Sequence, residues 1–175
     1  MDAILRHLEP GVAEFEGVRP GPFHILTHSV GGLMARALIH RKRPADLRRV
    51  VMLGPPNAGS EIADMLCKYN RESAILGRVG KQLRTVRSMD DEAMLGSIDF
   101  QLGVTAGDWP IAPVLPMLLP RPNDGMVSVA ATRIPGVADH IILPVDHTRM
   151  VHDRRVIAQS LAFLEAGAFS RTTGT

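Results

Sequence analysis

The sequence predicts an α/β fold: a mostly parallel sheet with helices on both faces. Three observations predict it. Short apolar runs recur along the chain, at 23–27 (FHILT), 49–53 (RVVML), 101–106 (QLGVTA) and 141–145 (IILPV). None of them alternates apolar with polar residues, as a strand with one wet face would. Segments with apolar residues at helical spacing lie between them.

Taken in order, residues 1–9 read as the tail of a helix closed by Pro10-Gly11, and 10–22 as a loop rich in Gly and Pro. Phe23 to Thr27 is the first buried strand. Leu33, Ala37 and Leu38 recur at helical spacing after it, with Met34 and Ile39 widening the stripe, and the helix stops before Pro44. Arg49 to Leu53 is the second strand, ended by Gly54-Pro55-Pro56. Ser60 and Glu61 open a helix over 60–76, and a weaker helix covers 88–96. Gln101 to Ala106 is the third strand, ended by Gly107-Asp108. Residues 109–122 hold too many prolines for a regular element, yet they are apolar, so this loop covers something. Ile141 to Val145 is the fourth strand. Asp153 caps a last helix with the stripe Val156, Ile157, Leu161 and Leu164, terminated at Gly167. There is no internal repeat and no second domain in 1–175. Residues 1–22 are expected to be a helix remnant and loop, and 168–175 a flexible tail.

Composition narrows the class. Of the 175 residues, 45% are hydrophobic and 22% charged, which suits a chain with a packed core and not a disordered one. Net charge is +2 and the basic residues are scattered, so no nucleic-acid partner is expected. The cluster Arg41-Lys42-Arg43 reads as the solvated end of a helix. Cys67 is the single cysteine, so there is no internal disulfide. No apolar run approaches the roughly 20 residues of a membrane span. The first 20 residues carry Glu9, Glu14 and Glu16 and lack a long apolar core, so they do not resemble a secretory signal, and the expected location is cytoplasmic.

The junction of first strand and first helix carries the chemistry. Thr27-His28-Ser29-Val30-Gly31 matches G-x-S-x-G except at its first position. In such a turn, small residues two before and two after the serine let the chain pass close to itself. The hydroxyl stands clear at the C-terminal edge of the sheet, beside a helix N-terminus that favours negative charge. The amide of Val30 points at a developing oxyanion. A plain helix cap would use the same residue types.

A nucleophilic serine needs a base, and the base an orienting carboxylate. His147 follows the last strand directly. His140 precedes that strand, His152 opens the last helix, and His7, His24, His28 and His40 come before, beside or soon after the serine. For the acid, Asn123-Asp124-Gly125 offers Asp124 in a turn, and a turn alone explains that tripeptide too. Asp108 also follows a strand and is the rival. Asp146 adjoins His147, and neighbours on an extended segment point apart. Asp99 and Asp139 precede strands and belong at the far edge.

Three segments together resemble the lipase and esterase members of the α/β-hydrolase superfamily. They are HILTHSVGGLMAR, VVMLGPPNAGSEIADML and NDGMVSVAATRIPGVADHIILPVDHTRM. The resemblance covers roughly residues 23 to 167. It implies a partial α/β-hydrolase fold with the N-terminal strands missing. Residue by residue, it implies Ser29 as nucleophile, Asp124 as orienting acid, His147 as base and the Val30 amide as one oxyanion donor. Thr27 stands where the family has Gly, and the His-Gly loop that supplies the second oxyanion amide in the family has no counterpart here. The expected activity is cleavage of a small-molecule or lipid ester through an acyl-enzyme, with no cofactor and no metal. Two alternatives stay open: an acyltransferase or thioesterase using the same groups, and a catalytically impaired fragment or interaction module that self-associates through an exposed sheet edge. Trp109, Leu118 and Leu119, from the proline-rich loop before Asp124, are the expected wall for the acyl group.

Overall fold

The computed structural model describes residues 2–18, 21–61, 64, 85, 88–111, 117 and 119–171. Within these, helix α1 (Asp2–Val18) leads to strand β1 (Phe23–His28), helix α2 (Gly31–Lys42) and strand β2 (Leu47–Leu53). Helix α3 (Met89–Leu95) precedes strand β3 (Gln101–Gly107). Strand β4 (Asp139–Leu143), a 3-10 turn (Arg149–His152) and helix α4 (Arg154–Ala166) close the order.

The four strands form a parallel sheet in the order β1-β2-β3-β4. Each central strand feeds both faces, because successive side chains point to opposite sides. Val50 and Met52 of β2 join Leu102 and Val104 of β3 under Ala35 and Ile39 of α2. Val51 and Leu53 turn the other way, into a cluster with Val156 and Phe163 of α4. A continuous apolar run is therefore what β2 requires, since neither face is wet. α2 also packs on α3 and α1 through Leu33, Ala37, Leu38 and Leu95, with Val12 beside them. α4 lies over β2 and β3. Leu26 of β1 is on its face but beyond its reach and remains 54% exposed. Among the described residues β1 pairs only with β2, so it is an edge strand.

α1 departs from the expected end at Pro10-Gly11 and runs on to Val18 with Pro10 inside it. An interior proline costs a helix about 3 kcal/mol. The residues beyond it make contacts with later elements: Val12 packs, partly buried, against the α2 cluster, and Phe15 meets Phe23 edge to face at 5.7 Å. Glu9 pairs with Arg41 at 2.9 Å. Arg41, Lys42 and Arg43 do end a helix, α2, where cations suit the negative end of the dipole.

Caps explain the other helix ends. Ser88 Oγ accepts from Asp91 N at the start of α3, and Gly96 ends it at φ 65°. Asp153 accepts from Arg155 N at 2.8 Å, and Gly167 ends α4 at φ 80°. Of the helix expected over 60–76, Glu61 and Asp64 are helical, and the rest lies outside the described residues together with Cys67. The expected flexible tail is anchored at its start. Phe169 is buried against Phe163, Gln159 and Ser170 exchange two hydrogen bonds, and Arg171 pairs with Asp139. Residues 172–175 lie outside the described residues.

His140, at the N-terminal end of β4, has an imidazole pushed down from the ordinary 6.5 to about 4, first by burial and then by the Arg133 guanidinium, with Asp139 opposing both. Below about pH 6.5 the unfolded chain takes up a proton that the folded one refuses until about 4. Stability is thus lost as pH falls through that window. The melting temperature is expected to fall between pH 7 and 5, and to fall less in His140→Gln, whose amide can donate to Thr132 Oγ1 as the His140 ring does at 2.9 Å. Equal slopes in a thermal scan of both proteins would contradict this.

Candidate active site

The C-terminal ends of β1, β2, β3 and β4 bring together residues far apart in sequence. Ser29 follows β1 at φ 57°, a left-handed conformation that is uncommon for a residue with a Cβ. Its amide is tied to the Leu53 carbonyl of β2 at 2.8 Å, and its own carbonyl accepts from Gly32 N at 3.0 Å. α2 begins at N-cap Val30 without a side-chain cap. The Ser29 hydroxyl therefore does not serve as a helix cap. It lies 2.9 Å from His147 Nε2. Thr27 is accommodated where Gly is usual: even a Cβ on Gly31 would sit 3.6 Å from the Thr27 Cβ, an ordinary van der Waals contact.

His147 lies just past β4, in a loop where Asp146 Oδ1 accepts from Thr148 N and Arg149 N. Its Nδ1 is 2.8 Å from Asp124 Oδ2, and its amide donates to the Asp124 carbonyl at 2.9 Å. A carboxylate only accepts, so Nδ1 carries the hydrogen and Nε2 is left with a lone pair facing Ser29. Asp124 is 2% exposed. Its other oxygen accepts from Met126 N at 3.0 Å and Val127 N at 2.8 Å. Asn123-Asp124-Gly125 is thus a turn, and the turn's own amides hold the buried charge while leaving Oδ2 for His147.

The rival groups stay apart from this chain of bonds. Asp108 is exposed after β3, Asp99 pairs with Arg43, and Asp139 is held by Arg171. His24, His40 and His152 are exposed. Val30 stands at the α2 N-terminus, where amides lack an intrahelical acceptor.

Two glycines that read in the sequence as strand terminators have a second task. Gly54 has φ 53°, and a Cβ on it would lie 3.1 Å from both Asp124 Oδ2 and His147 Nδ1. On Gly107 a Cβ would overlap the Val145 carbonyl and come within 2.8 Å of the Asp124 Cβ. Gly54→Ala is expected to cost about 1–2 kcal/mol from the left-handed backbone alone. It should also slow turnover about tenfold by displacing the Asp–His pair a few tenths of an ångström. Urea unfolding and an ester assay check the two effects separately.

A cavity of about 310 Å³ opens beside His147, with Met126 and Ile111 as apolar walls and Arg149 at its border. Trp109 is 64% exposed and lines a neighbouring cavity that shares Ile111, Asp146 and Arg149. Leu119 is buried and lines neither of these two cavities. Leu118 lies outside the described residues. Among the described residues no three His, Cys, Asp or Glu side chains cluster to hold a metal, and no helix is long and apolar enough to cross a membrane.

The chain has a partial α/β-hydrolase fold. It is similar to the mature Bacillus licheniformis lipase BlEst2 with a TM-score of 0.67 at 20% identity, over 91% of this chain and 71% of the lipase. Phospholipase PlaB from Legionella pneumophila superposes with a TM-score of 0.67 at 16% identity, over 89% of this chain and 46% of that one. The metagenomic carboxyl esterase MGS0156 gives 0.64 at 16%, over 79% of this chain and 49% of that one. The chain thus spans about half the length of two of these proteins and about seven-tenths of the third. No protein-family model matches it, and no curated protein matches it significantly in sequence.

Proposed function

We propose that this chain carries the catalytic groups of a serine hydrolase that cleaves carboxylic esters. The observation that carries the reading is the unbroken run of hydrogen bonds from Ser29 Oγ to His147 to Asp124, mounted on a left-handed turn at the C-terminal edge of the sheet. Ser29 Oγ attacks the acyl carbon while His147 Nε2 takes its proton. The Val30 amide and the positive end of α2 stabilise the oxyanion. As the tetrahedral adduct collapses, His147 gives the proton to the departing alkoxide, leaving an acyl group on Ser29. Water then attacks the acyl carbon, again with His147 as base, and the acid leaves as Ser29 regains its hydrogen. Asp124 keeps the proton on Nδ1 throughout and balances the imidazolium.

The apolar walls of the cavity beside His147 suit the hydrocarbon part of a small-molecule or lipid ester. The similar folds named above belong to proteins called a lipase, a phospholipase and a carboxyl esterase, which supports the same substrate class. The test is hydrolysis of p-nitrophenyl butyrate by the purified chain. Release of nitrophenolate above the buffer rate, abolished by a fluorophosphonate, is the expected result. A folded chain with no turnover and no inactivation on any p-nitrophenyl ester from acetate to octanoate would overturn the reading.

A further inference from the structure

His28 is the last residue of β1, directly before Ser29. Its Nε2 lies 2.9 Å from the carbonyl oxygen of His147, and the two rings lie 4.7 Å apart at 43°. A carbonyl oxygen only accepts, so His28 Nε2 must carry the hydrogen and donate it. The peptide unit of His147 is then held on both sides. Its N–H goes to the Asp124 carbonyl and its C=O to His28. The remaining bonds of this loop from Asp146 to Thr148 and Arg149 are local and do not fix it relative to β1.

We infer that His28 is a positioning residue: its ring N–H straps the backbone of the base to the strand that carries the nucleophile, so that His147 Nε2 faces Ser29 Oγ. The inference rests on the ester-hydrolase reading above. The strap works best uncharged, because a second cation against the His147 ring would oppose the imidazolium formed when Ser29 loses its proton. Burial first, and then the facing His147, hold the His28 imidazole below its ordinary range, against the opposing pull of its bond to the His147 carbonyl and of Asp124. Near neutral pH it therefore donates as the neutral Nε2–H tautomer.

Two variants of the full chain separate the hydrogen bond from bulk packing. In His28→Gln the amide N–H can reach the same carbonyl, while in His28→Leu it is absent. His28→Leu is expected to lower kcat for p-nitrophenyl butyrate, and the rate of fluorophosphonate inactivation, about 10- to 100-fold, as a misplaced base would. KM should stay within about twofold, and His28→Gln should keep wild-type rates within about threefold. Wild-type rates in a folded His28→Leu, or an equal fall in both variants, would overturn the inference. A readout that needs no turnover separates it from the reading beneath it. Ring 15N spectra of the resting protein should show His28 protonated at Nε2, and a His147 Nδ1 proton that is retained in His28→Gln and lost to exchange in His28→Leu. That pattern in a chain inactive on esters would sink the hydrolase and keep the strap. An active wild type whose His28 carries its hydrogen on Nδ1 would do the reverse.

Discussion

Ser29→Ala is expected to lower ester turnover by about five to six orders of magnitude, the scale seen when a nucleophile is removed from an acyl-transfer triad. The remaining rate would come from binding and the oxyanion site, which the substitution leaves in place. Folding should change little, because Ala and Ser bear the same Cβ in the left-handed backbone at φ 57°. Ser29→Gly gives a matching test of the strain. It removes that Cβ and is expected to stabilise the chain by about 1 kcal/mol while being just as inactive. Steady-state kinetics and urea unfolding on the three proteins check both parts. A Ser29→Gly variant less stable than wild type would mean that the turn is not strained.

Asp124→Asn carries the second largest expected effect, a fall in kcat of about 10⁴. The direction follows from the donors around it. The Asn Oδ1 must accept from the Met126 and Val127 amides, which now bind Asp124 Oδ1. Its NH₂ then faces His147 Nδ1, which has to accept. The hydrogen moves to Nε2, so His147 donates toward Ser29 where it should accept. The turn keeps its bonds, and the melting temperature should move little. If Asp108→Asn is the crippling change and Asp124→Asn is mild, the acid has been assigned to the wrong strand end.

Much of this was legible in the chain because it depends on local pattern. Each of the four apolar runs is a strand, with its ends shifted by zero to two residues. The strongest signal was β2, where both faces are buried and the run is unbroken. Chain order also brought Ser29, Asp124 and His147 to one sheet edge, since each follows a parallel strand. What stayed hidden depends on contacts across the sequence. Pro10 reads as a helix stop, yet α1 passes it, and the contacts that Val12 and Phe15 then make with elements downstream cannot be read from local pattern. Gly54 and Gly107 look like ordinary terminators, and their closeness to Asp124 exists only once β2, β3 and the loop after β3 are assembled. His28 occupies a position that tolerates many residues in such a turn. Its role depends on His147, 119 residues later, bringing its carbonyl within reach. Leu119 reads as a residue of an apolar loop, and its burial is not visible in local pattern.

The central claim is that Ser29, activated by His147, is the atom that attacks the acyl carbon. The most direct measurement is intact-protein mass after treatment with a fluorophosphonate, followed by peptide mapping of the adduct. One phosphonyl group per chain, carried by Ser29 and missing from Ser29→Ala, is the predicted result. A folded chain that takes no label, or takes it on another residue equally well in wild type and Ser29→Ala, would contradict the account.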